Sequence, residues 1–486
     1  MHPINLKGQR LRLLVAIASY GEKNLPFLRQ VIQTYYGMDF DVRVVVFSNC
    51  PKDLDTEVDV VVGLPTKNPW SLPFAHKEFF RKHVENYDLF AYSEDDIEVT
   101  EQNIRAFLRA TTVLGPREIP GFLHTEQDRA GRTWMVCVHR HFHWVPESTA
   151  SRGDHVVAEF TNEHSAFYLL TQKQLKLAIA SGGFLREPHE GRYDLLCTAA
   201  TDPYTSCGFK KVICISHLRE FLIRHLPNKY IAELCVDLDG FEAQVSTLMA
   251  INAGRHPARS LFDVRPKFWH SWWQKHYYEP VQKDILEILP WQDKTVLSIG
   301  CGWGMTEASL IALGAKVTAL PLDSVIGEVA RRVGVEVING TWNEAVQRLG
   351  DRSFDCILMT DLLHLLKEAE PVLCKCAALV AEGGVLVLTG PNFCRFPWLM
   401  KRTLGLGPFK NLSSFNQSGI SVVPPSRWRN ILRRSGFDHV SLKWCGGGSG
   451  SNDEVGLQLG GITAKSWRLL AFRSHCTRGL APASSC

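Results

Sequence analysis

The sequence predicts an α/β protein of two domains, each built around a mostly parallel sheet. Its 486 residues are too many for one ordinary hydrophobic core. Hydrophobic residues make up 45% of the chain and charged residues 21%, a balance typical of folded globular proteins. Two long stretches, which begin near Leu11 and Thr295, alternate apolar strands with amphipathic helices. Such alternation is typical of parallel sheets covered by helices.

We place the first domain at residues 1–250 and the second at 285–475, with a connector at 251–284 and a tail at 476–486. The connector combines three prolines with an aromatic cluster. A flexible linker would not be so aromatic, so we expect this segment to pack against one or both domains. The cluster comprises Phe268, Trp269, Trp272, Trp273, Tyr277 and Tyr278.

The first domain opens with apolar runs that suit strands buried on both faces. Segments with apolar residues at helical spacing separate these runs. In order, the predicted elements are the strand Leu11–Ser19, the helix Asn24–Tyr36, the strands Val42–Ser48 and Val58–Val62, the helix Phe74–Asn86 and the strand Asp88–Ser93.

The last of these strands continues directly into three acids, Glu94, Asp95 and Asp96. Adjacent carboxylates repel one another when they are buried together, and a divalent cation would relieve that repulsion. Mg²⁺ and Mn²⁺ prefer oxygen ligands and can also bridge a substrate diphosphate. The alternative is a solvated strand end without a ligand.

Glu94-x-Asp96 at a strand end resembles the Asp-x-Asp motif of GT-A glycosyltransferases, and the strand end at Ile17–Tyr20 resembles their nucleotide-binding edge. The resemblance covers residues 10–235 and rests on short motifs. It implies a nucleotide-sugar donor, held through a metal at Asp96 with Glu94 or Asp95 nearby, and a glycan or other small-molecule acceptor.

The same resemblance implies a late histidine among the metal ligands. His225 is the first candidate and His217 the second, and each could equally be structural. Asp194, which follows a glycine loop, would deprotonate the acceptor hydroxyl. The alternating histidines of the segment 139–143 predict a strand with all three side chains on one face, as either a metal site or a polar surface.

In the second domain, the strand Val296–Ile299 leads into alternating glycines at 300, 302 and 304, and the helix Met305–Leu313 follows. Glycines let the backbone turn tightly and approach a cofactor closely. The pattern lacks the third glycine of GxGxxG, which disfavours NAD. The later predicted elements are the strand Lys316–Leu320, the helix Val325–Val333, the strands Phe354–Met359 and Gly384–Thr389, the helix Arg427–Ser435 and the strand Val440–Trp444.

This arrangement resembles class I S-adenosylmethionine (SAM)-dependent methyltransferases, which have a Rossmann-like fold. The resemblance implies that the glycines lie against the methionine part of SAM. It also implies an acid after the second strand that holds the ribose. Pro321 stands where that acid usually is, and Asp323 follows two residues later. The family often has Asp or Glu at the position of Ser298. The glycines are Gly300, Gly302 and Gly304, and the late matches are Gly383-Gly384 and Gly436-Phe437.

Two residues that follow the predicted strand Phe354–Met359 are candidates for a role in methyl transfer. Asp361 would contact the cofactor or the acceptor, or would merely end a strand. His364 would accept a proton from an acceptor hydroxyl. Its leucine-rich surroundings also suit a buried structural histidine. The apolar insertion Phe393–Phe415 is predicted to form a lid over the acceptor, and the alternative is contact with a membrane surface.

These features predict a bifunctional transferase of glycan or polysaccharide biosynthesis with SAM and Mn²⁺ or Mg²⁺ as cofactors. Two alternatives remain: the first domain is a non-catalytic glycan-binding module, or the second is an inactive scaffold. A net charge of +4 argues against nucleic-acid partners. No apolar run is long enough to span a membrane, so contact with one would be peripheral. The 14 cysteines lack paired motifs and no signal peptide is evident, which predicts a cytoplasmic location.

Overall fold

The computed structural model describes residues 10–54, 58–231, 235–264, 266, 273–406, 409, 412, 414–445 and 464–474. The chain forms two compact units, Met1–His256 and Pro257–Cys486. The predicted tail and three connector aromatics, Phe268, Trp269 and Trp272, lie outside the described residues.

The first unit contains three sheets. Its strands are β1 (Arg12–Ser19), β2 (Asp41–Ser48), β3 (Asp59–Val62), β4 (Leu89–Glu94), β5 (Ile97–Glu98), β6 (Glu118–Pro120), β7 (Leu123–Gln127), β8 (Thr133–Val136), β9 (Trp144–Arg152), β10 (His155–Phe160), β11 (Phe167–Thr171), β12 (Lys210–Cys214), β13 (Leu222–His225) and β14 (Cys235–Asp237). Its helices are α1 (Leu25–Tyr36), α2 (His76–His83), α3 (Glu101–Val113), α4 (Gln172–Ala180), α5 (Leu195–Thr205) and α6 (Leu238–Asn252).

The main sheet of this unit has the strand order β11-β4-β1-β2-β3. The last four strands are parallel, and β11 runs antiparallel to β4. Strand β1 is buried along almost its whole length, as its apolar sequence predicts. The predicted helix at 74–86 differs from the structure: a 3₁₀ turn, Pro69–Ala75, comes first, and α2 begins only at His76. Pro73 explains the difference, because proline donates no backbone hydrogen bond.

Two smaller sheets have the orders β6-β12-β10-β9 and β14-β8-β7-β13-β5. The short strand β5 starts directly after Asp96, and its Ile97 pairs with His225 at the end of β13. This pairing brings His225, which is distant in sequence, close to the acids that follow β4. The histidines at 139, 141 and 143 lie in the turn region between β8 and β9, so the predicted strand there is wrong.

The second unit contains one seven-stranded sheet. Its strands are β15 (Thr295–Cys301), β16 (Lys316–Pro321), β17 (Glu336–Val337), β18 (Phe354–Met359), β19 (Val380–Pro391), β20 (His439–Cys445) and β21 (Ser466–Phe472). Its helices are α7 (Lys283–Leu286), α8 (Met305–Ala312), α9 (Glu328–Arg331), α10 (Trp342–Leu349), α11 (Ala369–Ala378), α12 (Phe396–Thr403), α13 (Phe415–Ser418) and α14 (Pro425–Arg434).

The order of this sheet is β17-β16-β15-β18-β19-β21-β20. Strands β15 to β19 run parallel to one another, whereas β21 is antiparallel to both β19 and β20. The sheet order reverses between β15 and β18, where open α/β sheets bind ligands beyond the carboxyl ends of the strands. No helix in the described ranges is both long and apolar enough to cross a bilayer.

Candidate functional site

In the first unit, the acid trio lies at the carboxyl end of β4, beside the end of β1. Because Ala18 pairs in parallel with Glu94, the two strands end at the same edge. A cavity of about 300 Å³ opens there. Its lining residues are Ala18, Tyr20, Asn24, Pro69, Trp70, Leu72, Pro73, Glu94, Asp95, Asp96 and Leu196.

Asp95 is held by hydrogen bonds to both carboxylate oxygens. Ser19 Oγ donates to one oxygen at 2.6 Å, and Asn24 Nδ2 donates to the other at 2.8 Å. Burial raises the pKa of Asp95, and these two donors oppose that rise. Asn24 also reaches Asp96 at 3.1 Å. Asp95 therefore joins the ends of β1 and β4.

His225 faces the third acid of the trio. Its Nε2 lies 3.6 Å from Asp96, and its Nδ1 lies 2.6 Å from Glu126. Burial alone would lower the pKa of His225, but the two carboxylates outweigh it and raise the pKa to about 9. Glu126 is fully buried and also accepts backbone N–H bonds from residues 229–231. It therefore fixes the orientation of the imidazole.

Glu94 interacts electrostatically with Asp194. Burial, followed by repulsion from Asp96 and Asp95, raises its pKa to about 8, and Asp194 adds to that rise. Asp194 itself is exposed and caps α5 by accepting a bond from Cys197 N at 2.9 Å. The other predicted histidine ligand, His217, instead packs against the ring of His155.

Within the described part of the chain, no group of three or more His, Cys, Asp and Glu side chains is arranged to hold a metal ion. The hydrogen bonds of Asp95 explain part of this result, because its oxygens are already occupied. Asp96 and His225 are the pair that faces one another. The predicted ligands therefore do not form a complete metal-binding site, and a cation here would need further oxygen ligands from a substrate.

In the second unit, the glycine turn follows β15, which is the central strand at the order reversal. Gly300 has φ +73° and Gly304 has φ +91°, a region that favours glycine. A Cβ atom on Gly302 would overlap the carbonyl oxygen of Tyr277. Trp303 N also donates to that oxygen at 2.9 Å, so the backbone near Tyr277 lies directly against the turn.

The predicted ribose-binding acid follows the neighbouring strand β16. Asp323 is buried, and one of its carboxylate oxygens accepts bonds from Val325 N at 2.8 Å and Ile326 N at 2.7 Å. Its charge also raises the pKa of Tyr277, although burial is the larger cause. The helix predicted at 325–333 is accordingly shorter, since Asp323 organises a turn ahead of α9.

Asp361 and His364 follow β18, on the other side of the glycine turn. Asp361 has φ +48°, which is uncommon outside glycine and is often found at functional sites. His364 is 5% exposed, and burial lowers its pKa to about 4, while the Asp361 carboxylate opposes that shift. The ring of Phe393 lies 6.0 Å from that of His364. Phe393 belongs to an apolar cluster with Trp273, Trp398, Phe409, Leu412 and Ile420.

The family described as "Methyltransferase domain" matches residues 273–442, which include the glycine turn, Asp323, Asp361 and His364. Residues 273–442 form a class I SAM-dependent methyltransferase domain. The match begins at Trp273, within the predicted connector.

Curated relatives are similar to about a quarter of the chain. The ubiquinone biosynthesis O-methyltransferase of Xanthomonas oryzae pv. oryzae is 31% identical over 138 residues, which are 25% of this chain and 57% of the relative. The enzyme of that name from Albidiferax ferrireducens is 29% identical over 153 residues, or 27% and 61% of the two chains. The chain thus spans a little over half the length of these relatives.

Two solved structures align with about two fifths of the chain. A SAM-dependent methyltransferase from Archaeoglobus fulgidus is 14% identical, with a TM-score of 0.31, over 39% of this chain and 90% of its own. The magnesium protoporphyrin IX methyltransferase of Synechocystis, solved with bound SAH, is 21% identical, with a TM-score of 0.28, over 38% and 76%.

The match to this family supports SAM as the methyl donor of the domain. The left-handed glycines at the end of β15 and the buried acid after β16 are the groups that the sequence resemblance assigns to such a donor. Several charged side chains beside the turn were not predicted from the sequence. They are Lys275, Glu279 and Glu307, which lack any motif of their own.

Proposed function

We propose that this protein is a bifunctional transferase that methylates a hydroxyl oxygen of a small-molecule acceptor and transfers a sugar from a nucleotide-sugar donor. The methyl-transfer half rests on the methyltransferase domain and on the position of His364. The sugar-transfer half rests on the acid trio beside a cavity at the end of β4. The names of the curated relatives favour oxygen as the methylated atom.

SAM carries a sulfonium leaving group, so the protein mainly aligns the acceptor and removes a proton. His364 accepts the hydroxyl proton at Nδ1, because its Nε2 is directed at the carbonyl oxygen of Trp273. Asp361 stabilises the imidazolium that forms. The apolar cluster around Phe393 excludes water and favours an acceptor with an apolar or aromatic part.

In the first unit, Asp96 and the deprotonated Nε2 of His225 would hold a divalent cation that neutralises the diphosphate of the sugar donor, so cation binding would release the His225 proton. Asp194 would take the proton from the sugar acceptor, and Glu94 would lie close enough to influence its charge. A second candidate function is a non-catalytic glycan-binding module. Among the residues that the structure describes, no three His, Cys, Asp or Glu side chains are arranged to hold a metal ion, which favours this alternative.

The experiment that tests both halves is mass spectrometry of products formed from SAM, a panel of nucleotide sugars and candidate glycans. Products that gain one methyl group but no sugar would indicate a methyltransferase whose first unit is a non-catalytic glycan-binding module. Asp96→Ala should abolish manganese-dependent sugar transfer, and full retained transfer would refute the ligand role. Gly302→Arg should abolish SAM binding, and a purified protein that never binds SAM would instead be a scaffold.

In this proposal, helix α12 forms a lid over the methyl acceptor. Trp398 is buried against Trp273 at a ring distance of 5.6 Å, which attaches the helix to the apolar cluster. Its outer face is apolar and basic, and the alternative is contact with an anionic membrane. Two measurements distinguish these alternatives. Contact with a membrane predicts that the protein binds vesicles rich in phosphatidylglycerol and that mutation of Leu404 leaves the KM for the methyl acceptor unchanged. The exposed apolar residues are Phe396, Leu399, Met400, Leu404 and Leu406.

A further inference from the structure

Three exposed apolar side chains line the cavity of about 300 Å³ at the carboxyl ends of β1 and β4. Tyr20 is 54% exposed, Trp70 is 52% exposed and Leu196 is 38% exposed. They come from three separate segments, which are the loop after β1, the 3₁₀ turn Pro69–Ala75 and the first turn of α5. Large apolar side chains that stay exposed beside one cavity mark it as a candidate binding site.

The backbone that carries Trp70 is fixed, although its ring is exposed. Trp70 N donates to Asn68 Oδ1 at 3.0 Å. Pro69 and Pro73 restrict the 3₁₀ turn on either side of this residue. Ser71 is fully buried and donates through Oγ to the carbonyl oxygen of Asn68 at 2.7 Å. A flat ring on such a backbone loses little conformational freedom when a ligand stacks on it.

The loop that carries Tyr20 is fixed in a comparable way. The backbone N–H of Gly21 donates to Asn49 Oδ1 at 2.7 Å, and its carbonyl oxygen accepts a bond from the ammonium group of Lys52. These bonds join the loop after β1 to the segment after β2. Two aromatic rings on fixed segments therefore line the same cavity.

The polar lining of the cavity consists of the acid trio and Asn24. Ser19 and Asn24 donate to Asp95. In contrast, no described residue donates a hydrogen bond to the carboxyl group of Glu94. A hydroxyl group can donate to a carboxyl group or accept from it, whereas an anionic ligand would be repelled by the acids unless a cation accompanied it. An uncharged ligand with several hydroxyl groups therefore matches this lining.

A pyranose ring combines the two properties that the cavity requires. Its face presents C–H groups, which pack against an aromatic ring, and its edge carries hydroxyl groups. We propose that Tyr20 and Trp70 form a stacking platform for a pyranose ring whose hydroxyl groups bond to Glu94. This inference rests on the carbohydrate role proposed above for the first unit, and it applies whether that unit transfers a sugar or only binds one.

The test measures binding of the methyl glycosides of glucose, galactose, mannose and N-acetylglucosamine to the full chain by calorimetry. Trp70→Ala should weaken the tightest of these complexes roughly 5- to 30-fold, because the aromatic contact is lost. Trp70→Phe keeps a flat ring and should lose less than about threefold. Tyr36→Ala serves as the matched control, since Tyr36 is an exposed aromatic residue of the same unit that does not line this cavity. It should leave the affinity unchanged.

Saturation-transfer NMR adds a readout that a merely structural role would not change. Saturation of the aromatic protons of the protein should reach the C–H protons on one face of the sugar ring. Trp70→Ala should remove this one-sided pattern. Because the Trp70 ring is exposed, the substitution should leave thermal unfolding unchanged.

A second arm of the test uses nucleotide sugars with Mn²⁺. Binding of a methyl glycoside alone identifies the sugar of an acceptor or glycan, and binding only as a nucleotide sugar identifies the sugar of the donor. Weakening by Trp70→Ala in either arm supports the platform. Sugar binding that Trp70→Ala leaves unchanged would overturn the platform alone, and binding of free uridine without any sugar would overturn the pyranose assignment. A wild-type chain that binds no sugar in either arm would overturn this inference together with the carbohydrate role.

Discussion

His364 Nε2 lies 3.0 Å from the carbonyl oxygen of Trp273. A carbonyl oxygen can only accept, so this nitrogen carries the ring proton and Nδ1 keeps a free lone pair. The side chain is buried, and no described residue provides a hydrogen-bond partner for Nδ1. An unpaired buried acceptor is costly, which marks Nδ1 as the atom prepared to take a proton.

Replacement of this histidine should remove the base and leave the donor site intact. For His364→Asn we expect kcat for methyl transfer to fall by roughly 10²- to 10⁴-fold, the usual contribution of general base catalysis. SAM affinity should change little. Steady-state kinetics with calorimetric SAM binding checks both values. His439→Asn, at an exposed histidine of the same unit, is the control. A kcat within about twofold of wild type would exclude His364 as the base.

The same histidine should make folding stability depend on pH. Burial lowers the pKa of His364 to about 4, whereas an unfolded histidine titrates near pH 6.5. The unfolded chain therefore binds a proton first as pH falls, so stability is present above pH 6.5 and declines towards pH 4. The loss is about 3 kcal/mol over this range. Urea unfolding of wild type and His364→Asn should differ by a pH-dependent amount, and a constant difference would contradict the assignment.

Local patterns predicted the parts of the fold that carry their own periodicity. The strand and glycine turn at 295–304 and the strand Phe354–Met359 lie where the sequence predicts them. Strand β21 was not predicted, because its pairing with β19 and β20 is what identifies these residues as a strand. Long-range pairing of this kind leaves little trace in a local window of sequence.

In the candidate sites, too, local motifs could be predicted from the sequence and long-range contacts could not. The glycines and the acid trio form recognisable motifs, so the sequence alone could locate them. Glu126 and Glu307 could not be found in this way, since each is an isolated acid in its own segment. Their importance comes from partners elsewhere in the chain: Glu126 contacts His225, and Glu307 contacts Ser298. Strand β7 has the largely polar sequence Leu-His-Thr-Glu-Gln, so nothing in it indicates that Glu126 is buried.

Gly302 should tolerate no side chain, because the turn and the segment at Tyr277 are in direct contact. The Cβ of Gly302→Ala would overlap the Tyr277 carbonyl oxygen and force the two backbones apart. We expect a loss of about 1–3 kcal/mol in stability, together with loss of SAM binding. Thermal unfolding and calorimetry measure the two effects. Gly191→Ala, where a Cβ meets nothing within 4 Å, should leave both unchanged.

Helix α2 offers a comparison of a buried and an exposed ion pair on one element. Lys77 is 3% exposed, and its ammonium contacts the carboxylate of Asp202, which is fully buried. Arg81 and Glu78 form a pair on the outer face of the same helix. Removal of one partner of a buried pair leaves an uncompensated charge, whereas exposed pairs contribute little.

We therefore expect Lys77→Met to destabilise the first unit by about 3–5 kcal/mol and Arg81→Met by less than about 1 kcal/mol. Ser206 Oγ donates to Asp202 Oδ1 at 2.7 Å, and His189 Nε2 lies 3.4 Å from the same oxygen, but neither occupies the place of the lost ammonium group at Oδ2. Adding Asp202→Asn to Lys77→Met should recover part of the loss, because the buried charge is then gone. Urea denaturation followed by circular dichroism measures these differences. Equal effects of the two single substitutions would show that Asp202 finds compensation elsewhere.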